Sequence, residues 1–202
     1  MESDGIKDAI FRQIFARFPK SQNEAWAFHR ANGSLPRREK FTWLAKREIP
    51  NWPDQQLACV KECLLEFGQL CREKVSQAPE VKGANQLLKG LAGKIPIYVT
   101  SVNPAEDLEF YLKARSWDPY LTGWYGDPPE RKVDALLQIA QKEGCFPHEV
   151  LLVGDSEGDQ LAARDAGTEV MLRKTGAKST GWIDCLDLMK RSPFIDLLKK
   201  DL

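Results

Sequence analysis

Asp155 and Asp159 stand four apart in Gly154-Asp155-Ser156-Glu157-Gly158-Asp159, directly after the apolar run Leu151-Leu152-Val153. An apolar run that stops at a glycine reads as a buried strand and its exit. With a helix starting near Ser156, both carboxylates point into the space beyond the strand's C-terminal end. Open α/β sheets bind their ligands there. Two convergent carboxylates suit Mg²⁺, a hard cation that takes oxygen ligands and a substrate phosphate. The plainer reading makes Asp155 or Ser156 a helix cap and Asp159 a solvated first-turn acid.

Two other residues fall at comparable places. Ser101 closes the apolar run Ile95-Pro96-Ile97-Tyr98-Val99-Thr100, and Asn103-Pro104 follows as a helix start. A hydroxyl beside free backbone N–H groups suits a phosphate oxygen. Lys132 lies in Gly126-Asp127-Pro128-Pro129-Glu130-Arg131-Lys132. An ammonium near a strand end can neutralise a transferring phosphoryl group. Alone, each is a weak signal: serines are common in loops, and most helix-start lysines are merely solvated. A Ser, then a Lys, then two Asp, each after its own strand, form a far more specific set.

The elements that must position this set change character along the chain. The first 80 residues read as all-helical. Ile10, Phe11, Ile14, Phe15 and Phe18 recur at helical spacing within 6–18. Ser21 with Glu24 has the pattern of a capping box for a second helix reaching Asn32-Gly33. Pro36 opens a third helix, ending near Ile49-Pro50. A long fourth helix runs from Pro53 to Val75, with Leu57, Val60, Leu64, Phe67 and Leu70 on its packed face. Trp26, Phe28, Phe41 and Trp43 read as core residues.

After Pro79 strands and helices alternate. A short helix over 81–91 precedes a strand over 95–101 and a helix from Asn103-Pro104. A short strand near Gly123–Gly126 and a helix over 129–143 follow. Then come a strand over 149–153, a helix over 157–166 and a strand over 169–172. This order implies a parallel sheet with crossover helices. The chain thus divides into a helical module, 1–80, and an α/β core, 81–202, with the boundary near 77–83. The tail, 182–202, is expected to be helical and broken at Pro193.

Composition narrows the function. Twenty-nine basic residues balance 29 acidic ones, so nothing favours a nucleic-acid partner. The N-terminal residues are polar and no apolar run is long enough to span a bilayer, which points to a cytoplasmic protein without a membrane partner. The cysteines, Cys59, Cys63, Cys71, Cys145 and Cys185, are odd in number and form no CxxC pair. They are expected to be reduced and structural. Neither His29 nor His148 has a spaced partner for zinc or for a cysteine nucleophile.

From 81 to 172 the chain resembles the haloacid dehalogenase-like (HAD) superfamily, and more narrowly its phosphatases with a helical cap inserted early. The cap-like helices extend the likeness to the start. In that family the second motif is a Ser or Thr after a strand, matched by Ser101, with Thr100 as the alternative. The third is a Lys before a helix, matched by Lys132, with Arg131 one residue away. The fourth is the acidic pair, matched by Asp155 and Asp159. The resemblance implies a Rossmann-like core under a four-helix cap. It implies Mg²⁺-dependent hydrolysis of a small phosphorylated metabolite through an aspartyl-phosphate. A dehalogenase fits less well, because that chemistry needs no metal. In the family the cap sets specificity, and Arg30, Arg37, Arg38 and Lys40 could meet an anionic group there. The plainer reading of those four cations is a solvated surface.

The family's first motif, a strand ending in Asp-x-Asp, is missing: no Asp-x-Asp occurs in these 202 residues. Its first Asp is the nucleophile and a metal ligand, and its second is the general acid/base. Glu2-Ser3-Asp4 reads as the segment that follows the motif, where the chain enters the cap. The first core strand is therefore expected to be absent, leaving neighbouring strand edges unpaired. The chain as printed is expected to be inactive, and a truncated start is the simpler explanation. The alternative is a non-catalytic relative that binds a phosphorylated ligand or a partner.

Overall fold

The computed structural model describes residues 3–33, 35–81, 83–127 and 131–172. The expected tail helix and Cys185 lie outside them. Four helices come first: α1 (Asp4–Phe15), α2 (Gln22–Ala31), α3 (Arg37–Glu48) and α4 (Pro53–Val75). They pack around Ile10, Ile14, Phe15, Phe41, Leu44 and Phe67. Pro53 is the first residue of α4, where a proline forfeits only an N–H with no intrahelical partner, and Pro36 holds the cap position directly ahead of α3.

Two details of the bundle differ from expectation. Ser21 makes no side-chain cap, and Glu24 instead pairs with Arg47 at 2.7 Å. Leu57 is 52% exposed. The buried stripe of α4 is Val60, Cys63, Phe67, Cys71 and Val75, so the face is turned relative to the one Leu57 would define. Cys63 and Cys71 serve as small apolar residues there. Their thiols are free, as are Cys59 and Cys145.

α5 (Ala84–Leu91), β1 (Tyr98–Ser101), α6 (Ala105–Ala114) and β2 (Gly123–Gly126) follow. Then come α7 (Lys132–Glu143), β3 (Leu151–Gly154), α8 (Glu157–Ala166) and β4 (Glu169–Leu172). The alternating order does give parallel strands. β1 pairs with β2, Tyr98 opposite Gly123 and Ser101 opposite Gly126. β3 pairs with β4, Leu151 opposite Glu169 and Gly154 opposite Leu172. Among the described residues these remain two separate two-stranded sheets. α7 contacts β1, β2 and α8, so it links them. Val153, in the middle of β3, is 48% exposed. No described helix is long and apolar enough to cross a membrane.

Candidate active site

All four candidate residues sit at strand exits or helix starts. Ser101 is the last residue of β1, and its Oγ accepts the Asn103 N–H at 3.1 Å. Asn103 is not the cap of α6; Pro104 holds that place. Instead the Asn103 carbonyl accepts the Asp127 N–H at 2.9 Å, and the Ser101 carbonyl accepts it at 3.0 Å. The exits of β1 and β2 are thereby tied together. Gly126 makes this approach feasible: a Cβ there would stand 2.7 Å from Asn103 O and 2.5 Å from Ala105 Cα. The alternative, Thr100, holds its Oγ1 buried without a hydrogen-bond partner among the described residues. Successive strand residues face opposite sides, so Thr100 and Ser101 cannot serve one site together.

The exit of β3 is more elaborate. Ser156 caps α8, and Asp159 returns the bond, so the pair forms a capping box. Asp159 Oδ2 accepts from Asp155 N–H at 3.1 Å, Ser156 N–H at 3.0 Å and Ser156 Oγ–H at 2.7 Å. Its Oδ1 pairs with Lys132 Nζ, the first residue of α7. Asp159 is therefore buried and fully partnered, not the solvated acid of the plainer sequence reading. Burial alone would raise its pKa. Hydrogen bonds from Lys132 and Ser156 outweigh that and hold it below the ordinary value. Asp155 stands exposed beside it. The alternative to Lys132, Arg131, turns to Asp134 at 2.8 Å.

The structure thus joins Lys132 to Asp159 and Asp155 in one cluster, and places Ser101 at the end of the other sheet. The carboxylates do not amount to a Mg²⁺ site by themselves. Among the described residues no group of three or more His, Cys, Asp or Glu converges. Asp159 has both oxygens committed.

The four cap cations are mostly spent internally. Arg30 pairs with Asp8 at 3.1 Å, and Arg37 with Asp107 at 2.6 Å. Lys40 Nζ lies 3.2 Å from His29 Nδ1 and 3.1 Å from the Gly33 carbonyl. Arg30 and Arg38 are the two exposed members of the four. His29 does have partners, though none at a regular sequence spacing. Its Nε2 meets Asp8 Oδ1 at 2.9 Å and its ring packs on Phe11 at 4.3 Å. Sequence reasoning missed this Asp8–His29–Lys40 chain, because its three members come from three different helices.

Comparison with known proteins agrees with the fold. Residues 125–192 match the family model described as HAD-hydrolase-like. A HAD-superfamily hydrolase of subfamily IA from Geobacter sulfurreducens is 20% identical, with a TM-score of 0.54 over 75% of this chain and 90% of that one. A haloacid dehalogenase-like hydrolase from Streptococcus pneumoniae is 21% identical, with a TM-score of 0.55 over 81% and 76%. A putative beta-phosphoglucomutase from Thermotoga maritima is 17% identical, with a TM-score of 0.57 over 93% and 85%. No curated protein matches. The fold is that of the HAD-like hydrolases, as the sequence resemblance implied.

Proposed function

We propose that this chain is the cap and core of a HAD-type phosphomonoester hydrolase, acting on a small phosphorylated metabolite. The observation that carries the reading is the Lys132–Asp159 ion pair beside Asp155, at the C-terminal end of β3. A cation tied to the base of a carboxylate cluster is what a transferring phosphoryl group requires. The Ser101 hydroxyl, its Oγ already accepting from the Asn103 N–H, would donate to a second phosphoryl oxygen. Asp155 would supply one metal ligand. The remaining carboxylates, and the nucleophile, belong to an Asp-x-Asp strand that these 202 residues do not contain. Among the described residues β1–β2 and β3–β4 share no ladder, an arrangement with room for one more parallel strand to pair with both.

The test uses the protein as its gene encodes it, isolated from the native source. Its intact mass and N-terminal sequence are determined, and phosphate release from small phosphomonoesters is assayed with Mg²⁺. We expect an Asp-x-Asp ahead of Met1, Mg²⁺-dependent turnover, and loss of that turnover in Asp155→Ala. A native chain starting at Met1, or unchanged turnover in Asp155→Ala, overturns the reading.

A further inference from the structure

The helical bundle and the β1–β2 sheet share one helix. α6 places Tyr111, 1% exposed, in the core of the bundle. Its Leu108 and Leu112 belong to a second cluster, with Leu88, Val99 and Trp124. Two sets of polar bonds fix the same helix more firmly. Near its start Asp107, 4% exposed, accepts from Arg37 Nη2 at 2.6 Å and from Arg72 Nε at 3.0 Å. Arg37 opens α3 and Arg72 stands near the end of α4. Just past the end of α6, Arg115 Nη2 donates to the carbonyls of Val75 and Ser76 at 3.3 Å each, and to that of Ala78. Those carbonyls belong to the end of α4 and the connection after it. A connection held in this way is no free hinge.

The N-terminal end of α6 leads straight to the Ser101 turn. Asn103 donates to Ser101 Oγ, and Gly126 lies against Ala105, the first residue of the helix. We propose that α6 is a lever, pinned to the bundle by Arg37–Asp107–Arg72, so that displacement of the bundle moves the Ser101–Asn103 turn. Asp107 is then a positioning residue. Asp107 is buried, so releasing it from both arginines would leave a buried charge unpaired. The proposal rests on the phosphohydrolase reading only in taking that turn as the phosphate site.

Hydrogen exchange by mass spectrometry on the full chain, without ligand, tests it. In Asp107→Asn we expect exchange to rise roughly tenfold together in 76–83 and in 101–105, with β3 and β4 unchanged. Arg72→Met removes one arm of the pin and should show a smaller rise in the same two segments. It answers the question if Asp107→Asn does not fold. A rise confined to 76–83, or no rise in either segment, overturns the lever. A coupled rise in a protein that releases no phosphate in its native form would retire the phosphohydrolase reading and keep the lever.

Discussion

Gly154 lies directly beneath Asp159. A Cβ on Gly154 would stand 2.7 Å from Asp159 Oδ2 and closer still to its Cβ and Cγ. The glycine is what lets the carboxylate fold back over the strand end and meet Lys132. Gly154→Ala must therefore push Asp159 outward, weakening the capping box and the ion pair together. We expect a loss of about 1–3 kcal/mol in urea unfolding. Gly126→Ala should cost at least as much, because the atoms it meets are backbone. Unchanged midpoints in both variants would show that the strand ends yield more easily than their packing indicates.

Lys132→Met removes one partner of a pair that is largely buried. A stability loss of about 3 kcal/mol at neutral pH is expected. The pH dependence has a definite sign. Asp159 is held below its ordinary pKa of 3.8 in the folded state. Its contribution is full above that value and disappears as pH falls through the lower, folded one. Without Lys132 the folded pKa rises, so acid unfolding followed by circular dichroism should begin at higher pH in the variant. Coincident acid limbs would contradict the ion pair's role.

Lys40 carries a cost at neutral pH. Only 3% exposed, it is pushed down from 10.5 to about 8, chiefly by burial. A shift of that size penalises the charged, folded form by roughly 3 kcal/mol. The unfolded chain keeps the proton up to its higher pKa, so this group makes stability rise with pH between about 8 and 10.5. Lys40→Met keeps an unbranched apolar stem and removes the charge, which lies 5.2 Å from the Phe11 ring. We expect it to stabilise the protein at pH 7 by about 1 kcal/mol or more, after the loss of the bonds to His29 and Gly33. It should also flatten the rise in stability toward pH 10. Urea midpoints at three pH values decide this.

His29 has the same sign at lower pH. Burial and the neighbouring Lys40 lower its pKa from 6.5, against the pull of Asp8. As pH falls below 6.5 the unfolded chain gains a proton that the folded chain resists, so stability falls. His29→Gln should remove that component, read as a shallower loss of stability between pH 6.5 and 5.

Periodic and punctuated segments were legible in the sequence. The bounds of α4, β2 and α8 agree with the pattern residue for residue, because each starts or ends at a glycine, a proline or a change of period. The placement of Ser101, Lys132, Asp155 and Asp159 at strand exits or helix starts followed from the same reading. Pairings between distant helices were not legible. Arg37 and Asp107 lie 70 residues apart, and no local spacing marks them. The same holds for Lys40 and His29. The Ser21–Glu24 pattern misled for a related reason: Arg47, on another helix, offered Glu24 a charged partner in place of a backbone amide.

The division into two sheets has a consequence for how the molecule comes apart. Each sheet is a strand–helix–strand unit, and no ladder of backbone bonds among the described residues ties one to the other. β3, α8 and β4 rest on a small cluster of Leu136, Leu152 and three alanines, whereas the bundle is filled with phenylalanines and isoleucines. Cooperativity needs shared interactions, and among the described residues those between the two sheets run chiefly through α7. Melting should accordingly not be one transition. The alanine-lined unit loosens first, while the aromatic bundle persists to higher temperature, so calorimetric and van't Hoff enthalpies should disagree.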